Sequence, residues 1–512
     1  MSSTGEPRRA ALAFILVTVM LDMLAMSLVI PVLPRLVLAF MHHDTAAASR
    51  VIGVFGASWA FMQFVFSPIL GAASDRFGRR PVILISNFGL GFDYIIMALA
   101  PGVGVLFLGR LVSGVTAASM STAQAYISDV SPPEKRASNY GLMSVAFGLG
   151  FILGPAIGGI LGQINPRLPF WVAAGLSLAN AAYGIFVLPE SLVTESRERF
   201  SWRKANPLGS FELLIGAPGL LRLACVHFLF WLSRMALTSV FVLYGSYRYA
   251  WSTATIGLTF AGVGLCSIIV GGLLVKPTVA RFGERSTLVL GLLCGCAGMT
   301  LMGFADSAKL FWLGLGVMSL IGLAAPSLQG LMTARIDEHS QGQLQGALGS
   351  VAALANMIGP LLFSFVFAQS ISSAPFFHAH IPGAPFYLAA ALLGAATMLA
   401  ASGSGAGMGK VKQEVAFLKK SDLLLTSPGV PARESASRRR RCSAFSATNA
   451  PRERTCHACS DGAPTSTARW RGGFGLRRPS LVGCGSLRRW RRAKAWRSPG
   501  APCAWQWPCR PR

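Results

Sequence analysis

The chain predicts an all-α membrane protein of twelve transmembrane helices, arranged as two six-helix parallel repeats and followed by a basic C-terminal tail. Composition is the first observation behind this. Apolar residues make up 53% of the 512 residues and charged ones only 13%, against roughly a quarter charged in a soluble domain. Apolar runs of about 20 residues, long enough as helix to cross some 30 Å of hydrocarbon, recur along the chain. The second observation is a repeated punctuation. Gly71-Ala72-Ala73-Ser74-Asp75-Arg76-Phe77-Gly78-Arg79-Arg80-Pro81 stands between two such runs, and so does Ala280-Arg281-Phe282-Gly283-Glu284-Arg285. A shift of 205 residues carries Arg76, Gly78 and Arg80 onto Arg281, Gly283 and Arg285. It also carries Gly141 onto Gly346, and Gly154-Pro155 onto Gly359-Pro360. One constant offset at three separate places marks a tandem duplication of a unit about 200 residues long. Parallel repeats with the substrate bound between them are one way of building a secondary transporter.

The spans fall at about 11–37, 51–72, 81–100, 104–127, 140–162, 168–188, 219–245, 254–275, 286–304, 309–331, 346–369 and 383–402. This divides the chain into an N-terminal bundle (1–188), a charged linker (189–218), a C-terminal bundle (219–403) and a tail (404–512). The first span is too long for the apolar core of a signal peptide. Asp22 interrupts it, and Pro31 and Pro34 stand where a cleavage site would be, so it is read as retained. Arg8 and Arg9 precede the first span. Arg76, Arg79, Arg80, Lys135, Arg136, Arg197, Arg199, Arg203, Lys204, Lys276, Arg281 and Arg285 fall in the loops of the same side. The opposite loops hold scattered single charges such as Arg167 and Lys309. The positive-inside rule therefore places both termini in the cytoplasm.

The tail is different in kind. Of the 46 Lys and Arg residues, 22 follow residue 410, among them Arg438 to Arg441, mixed with Trp, Pro, Gly and single Cys. No apolar periodicity survives there. Such a segment could hold anionic lipid or, with its tryptophans, nucleic acid, but no motif supports the second. The preferred reading is a disordered segment with no selected function, of the composition that GC-rich DNA yields when read out of frame. Cys456-His457-Ala458-Cys459 has CxxC spacing but lacks the second pair that a zinc site needs. Cys225, Cys266, Cys294 and Cys296 lie in spans as small hydrophobes, so no disulfide framework is implied.

Asp75 opens the turn before the third span, where a carboxylate can cap a helix and meet its dipole. Gly71 and Gly78 permit a tight loop and close helix approach, and Arg79 and Arg80 can pair with acids or lipid phosphates. The complete 71–81 pattern resembles the signature loop of the major facilitator superfamily. Gly109-Arg110-Leu111-Val112-Ser113-Gly114 is similar to the motif that the family carries on span four. Gly150-Phe151-Ile152-Leu153-Gly154-Pro155-Ala156-Ile157-Gly158-Gly159 resembles the span-five motif of its antiporters. Leu21-Asp22 with Pro31-Val32-Leu33-Pro34, then Asp93-Tyr94, Leu188-Pro189-Glu190-Ser191 and Gln341-Gly342-Gln343-Leu344-Gln345-Gly346 look like the tetracycline-resistance-like drug/proton antiporters. The resemblance covers about residues 10–403.

Buried charge agrees with it independently. An ionisable group at mid-bilayer costs roughly 2.5–3.5 kcal/mol on insertion scales and is by default functional. Asp22 and Asp93 are the carboxylates inside the expected spans, and Arg110 and Arg234 the arginines well inside them. Asp22 sits near the middle of span one, where a carboxyl can take up and release a proton. Asp93 and Arg110 both lie roughly 10 Å below the outer surface at about 1.5 Å per residue, which lets them pair. The three are the candidate proton-coupling residues. Gln63, His227 and Arg234 are candidates for the substrate cavity. Tetracycline carriers of this branch also have a His on span eight and an Asp on span nine. Here Cys266-Ser267 and Gly295 occupy those places, which leaves the second half without a buried carboxylate.

The resulting expectation is a monomeric transporter of a bacterial inner membrane, rocking two halves around a central cavity to export a small amphipathic compound against inward protons. It needs no cofactor, metal or nucleic acid, and it is no enzyme. No Gly-x-x-x-x-Gly-Lys-Ser/Thr loop is present to take ATP. The rivals are a metabolite transporter of the same fold and a membrane scaffold or sensor that does not transport.

Overall fold

Pro31 shapes the first crossing. It supplies no N–H and disfavours helix at the residue before it, and the expected single run 11–37 is two helices, α1 (Glu6–Leu28) and α2 (Leu33–Phe40). A computed structural model describes residues 6–116, 119–132, 135–192, 214, 219–336, 340–372 and 380–402. The tail from 404 onward and most of the 189–218 linker, with what was expected of them, lie outside the described residues. The first half continues with α3 (Thr45–Phe77), α4 (Arg79–Leu99), α5 (Val103–Thr116), α6 (Ser119–Val130), α7 (Arg136–Ile164) and α8 (Leu168–Val187). The second half has α9 (Leu220–Tyr249), α10 (Thr253–Ile269), α11 (Val275–Phe304), α12 (Ala308–Ser319), α13 (Ala324–Thr333), α14 (Gln341–Ile371) and α15 (Ala384–Ala401). Several are longer than the apolar runs that announced them, because polar turns at their ends continue the helix.

Eleven continuous helical stretches among the described residues are long and apolar enough to cross a membrane. One of them, Thr253–Phe304, has 52 residues. At 1.5 Å per residue it measures about 78 Å, more than twice the hydrocarbon thickness. It breaks inside at Gly283, whose φ of 78° and ψ of 164° are not helical. Counted on either side of that break, it supplies the expected eighth and ninth spans. Gly78, which separates α3 from α4, has φ 107° and ψ 159°. The two glycines are the 205-residue pair, so the duplication is repeated in the backbone. A left-handed φ of this kind favours glycine because it has no Cβ.

Within the first half α1 packs on α7 and α8, and α4 on α5 and α8. In the second half α9 packs on α14 and α15, and α11 on α12 and α15. The halves join through α3 against α14 and α7 against α10. These joints are tightest in the part of the bundle away from the 75–80 loop. The Ser49 hydroxyl donates to the Ser364 carbonyl at 2.9 Å, and a Cβ at Gly56 would stand 2.8 Å from the Cβ of Pro360. Nearer the basic-loop end a Cβ at Gly71 or Gly349 would meet nothing within 4 Å, while one at Gly264 of α10 would still meet Ile152 of α7 at 2.4 Å. The halves thus meet closely at the end away from the basic loops.

Candidate functional site

Asp22 lies on α1 and is 5% exposed. Asn180 of α8 donates from Nδ2 to its Oδ1 at 2.9 Å. With its amide nitrogen turned toward Asp22, Asn87 of α4 donates to both carboxylate oxygens at 3.1 and 3.2 Å, and its own oxygen accepts from Asn180 at 3.1 Å. Two amides from two other helices thus fix one carboxylate in an apolar bundle, as a buried charge requires. Asp22 borders a hollow of about 180 Å³ that is also lined by Met26, Trp59, Gln63, Tyr94 and Phe151. The expected site residues Asp22 and Gln63 are therefore brought together.

Asp93 is completely buried on α4, next to Tyr94. Arg110 of α5 faces it at 4.0 Å and donates to the Ser113 hydroxyl at 3.3 Å. The pair is a loose ion pair with no direct hydrogen bond, and both oxygens of Asp93 lack one. Gly109 makes the approach possible, since a Cβ there would stand 2.7 Å from the Asp93 carboxylate. Through Tyr94 and Ser113, which line the hollow, the pair adjoins the Asp22 site.

The 71–81 loop departs from expectation in two respects. Asp75 does not cap α4. It belongs to the last turn of α3, because the helix runs on to Phe77, and it pairs with Arg79 at 2.5 Å. The cap comes from Glu190, whose carboxylate accepts from the backbone N–H groups of Arg79 at 2.8 Å and Arg80 at 3.3 Å. An anion at a helix N-terminus meets unpaired donors and a favourable dipole. Gly78 leaves the room for it, since a Cβ there would strike the Glu190 carboxylate. Gly71, by contrast, has no close neighbour, so close helix approach is not its role. Arg79 also reaches Asp129 at 3.2 Å and the Ser74 hydroxyl at 2.7 Å, which ties α3, α4 and α6 together. Arg80 donates to the Ile185 carbonyl at 2.5 Å, and Arg76 lies over Phe77 on the surface.

The span-five motif is a packing device. A Cβ at Gly150 would lie 2.7 Å from the Met20 carbonyl, and at Gly154 and Gly158 it would overlap Ser27 and Leu28 of α1. Gly159 faces the other half, where a Cβ would be 2.6 Å from the Thr253 carbonyl. Pro155 presents its carbonyl to Gly257 of α10. On α9, His227 stacks edge-on with Trp231, and Arg234 lies over the rings of Phe230 and Trp231 at 5.8 and 5.7 Å. At Gly295 a Cβ would meet Ile321 at 2.8 Å and Leu393 at 3.2 Å. The nearest neighbours of that position are aliphatic side chains.

The profile of the Major Facilitator Superfamily matches residues 15–360 and 223–418. The chain belongs to this superfamily. Its superfamily membership accounts for the paired glycine turns and the span-five motif together. It is 38% identical over 366 residues to the class C tetracycline resistance protein of Escherichia coli, covering 71% of this chain and 91% of that one. With the class E protein of the same organism it shares 35% over 358 residues, 69% and 87% of the two chains. In fold it is similar to the crystal structure of the human organic anion transporter MFSD10 (TETRAN), with a TM-score of 0.58, 24% identity and coverage of 77% and 99%.

Asn87, Asn180 and Asp129 are site residues that sequence reasoning missed, and Glu190, quoted as part of a motif, was not read as a cap. Replacing Arg79 with Ala removes two ion pairs and the donor to the Ser74 hydroxyl, and leaves Asp129 with the Ser191 hydroxyl at 3.1 Å. Each charge-assisted hydrogen bond so lost is worth about 1.5–3 kcal/mol when buried, less here because Asp75 is 44% exposed. Arg79 is eight residues before Asn87, roughly 12 Å along α4. Turnover should therefore fall several-fold while substrate affinity stays within about twofold. Measured affinity and flux of reconstituted Arg79→Ala check this, and a large affinity loss with normal turnover would contradict it.

Proposed function

We propose that this protein is a secondary transporter that exports a small amphipathic organic compound in exchange for inward-moving protons. The observation that carries the reading is Asp22, a carboxylate held by two amides on the wall of a membrane-buried hollow. It can change protonation where substrate binds, which is what coupling requires. The kinship with tetracycline resistance proteins supports drug efflux as the task. The departures at Cys266 and Gly295 set it apart from those carriers in the second half, so proton exchange is assigned to the first half alone: Asp22, then Asp93 with Arg110. The excess of Lys and Arg in the loops of one side supports the reading that this side, with both termini, faces the cytoplasm, in what the kinship suggests is a bacterial inner membrane. On that reading the closed end faces outward.

Alternating access then requires the outer end to part. There Arg35 of α2 donates to the Ser246 hydroxyl at 3.2 Å and to the Trp251 carbonyl of the other half. Arg35→Ala should weaken this closure and raise the outward-open population. Labelling of a cysteine placed at Ser246 by an impermeant thiol reagent, on a cysteine-free background, should speed up several-fold. No change in rate would remove Arg35 from the gate.

The reading as a whole is tested in proteoliposomes. An imposed pH gradient should drive accumulation of an amphipathic dye such as ethidium or anilinonaphthalene sulfonate, and a protonophore should stop it. Absence of gradient-driven flux for every dye and antibiotic on a broad panel would favour a metabolite carrier or a scaffold.

A further inference from the structure

The hollow beside Asp22, at about 180 Å³, is smaller than the roughly 300–1,000 Å³ that drug-sized ligands occupy. A drug-sized substrate that enters it extends beyond it. The 205-residue offset shows what it meets there. It carries Asp22 onto His227 and Met26 onto Trp231, so the hollow-lining face of α1 has its repeat mate on α9. Arg234 and Thr238 continue that face, since residues 227, 231, 234 and 238 follow helical spacing.

Arg234 is 14 residues from Leu220 and 15 from Tyr249, roughly 20 Å from each end of α9. Its side chain is exposed. An arginine at that depth is not left against lipid, and such groups face the bundle interior or a water-filled cavity. Its guanidinium is held by the faces of Phe230 and Trp231, a cation–π arrangement that uses none of its N–H donors. Among the described residues no carboxylate pairs with it. The helices of the second half contain no Asp or Glu except Glu284, at the Gly283 turn.

We propose that Arg234 is an anion subsite of the transport cavity, and that the substrate is an amphipathic organic acid. Its apolar body lies between Trp231 and the aromatic and methionine wall of the hollow. Its carboxylate, sulfonate or enolate oxygens accept from the Arg234 guanidinium, whose planar fork suits two such oxygens at once. This rests on the transport reading above, but it concerns binding, which is measurable without transport.

The test uses the full chain in nanodiscs of zwitterionic lipid and two probes with one aromatic body, 8-anilinonaphthalene-1-sulfonate and uncharged N-phenyl-1-naphthylamine. The native protein should bind the sulfonate about tenfold more tightly than the uncharged probe, the size of one charge-assisted contact. Arg234→Gln should abolish that preference and leave the uncharged probe within about twofold. Arg234→Met, which keeps an apolar side chain on Trp231, should do the same and serves if the glutamine variant does not fold. Equal binding of the two probes by the native protein overturns the proposal, and so does a sulfonate preference that survives either substitution. Flux is scored separately. Arg234-dependent sulfonate binding without proton-driven flux of any dye sinks the transport reading and keeps the subsite. Proton-driven flux of cationic and uncharged dyes without that binding does the reverse.

Discussion

Asp22→Asn is expected to bring pH-gradient-driven efflux down to the level of empty liposomes while the protein still folds and binds substrate. The substitution keeps the shape of the side chain and removes the exchangeable proton. Asn180 and Asn87 would then face an amide instead of a carboxylate, and rotation of that amide can still satisfy one of them. Folding should therefore suffer little, and coupling completely. Asn180→Leu is the companion variant. It deletes the 2.9 Å donor and keeps the acid, so transport should persist with an altered pH profile. If Asp22→Asn transports like the native protein under a proton gradient, the coupling group lies elsewhere.

How much of this was legible in the sequence depended on the kind of interaction. Asp22, Asp93 and Arg110 stood out because charge in an apolar run is expensive and therefore rare. Gly78 and Gly283 stood out because the duplication placed them 205 residues apart, and the backbone shares their unusual dihedral angles. Asn87 and Asn180 did not. A neutral amide raises no alarm in a hydropathy reading, and Asn180 reaches its partner across 158 residues of chain. Glu190 was visible as part of a motif, but its role depends on α3 continuing through Asp75 to Phe77. Local residue preferences suggested a cap at Asp75, and tertiary packing moved that cap to a carboxylate more than 100 residues away. Arg35 has no signal of its own, because its partners Ser246 and Trp251 lie more than 200 residues along the chain.

Gly158→Val should be the most damaging single change outside the charged residues. Its added Cβ would overlap the Leu28 carbonyl oxygen and lie 2.7 and 2.9 Å from that residue's C and Cα. The obstruction is backbone, so no side-chain rotation relieves it, and α1 must move bodily away from α7. Overpacking of this kind costs about 1–3 kcal/mol and sometimes more. The consequence extends to function, because Asp22 lies six residues before Leu28, roughly 9 Å along α1. The same interface sets its position: the Ser27 hydroxyl donates to the Gly150 carbonyl at 2.9 Å, and Met20 and Met23 pack on Gly150. Parting the helices there draws Asp22 away from Asn180 and Asn87. Gly148→Val is the control, one helix with the opposite surroundings, since a Cβ there meets nothing within 4 Å. The Gly158 variant should melt several degrees lower than native in detergent and lose most of its flux per folded molecule. The Gly148 variant should match native in melting temperature. Equal melting temperatures and equal flux for the two would mean that α1 and α7 are not held by this contact and that Asp22 is positioned from α4 and α8 alone.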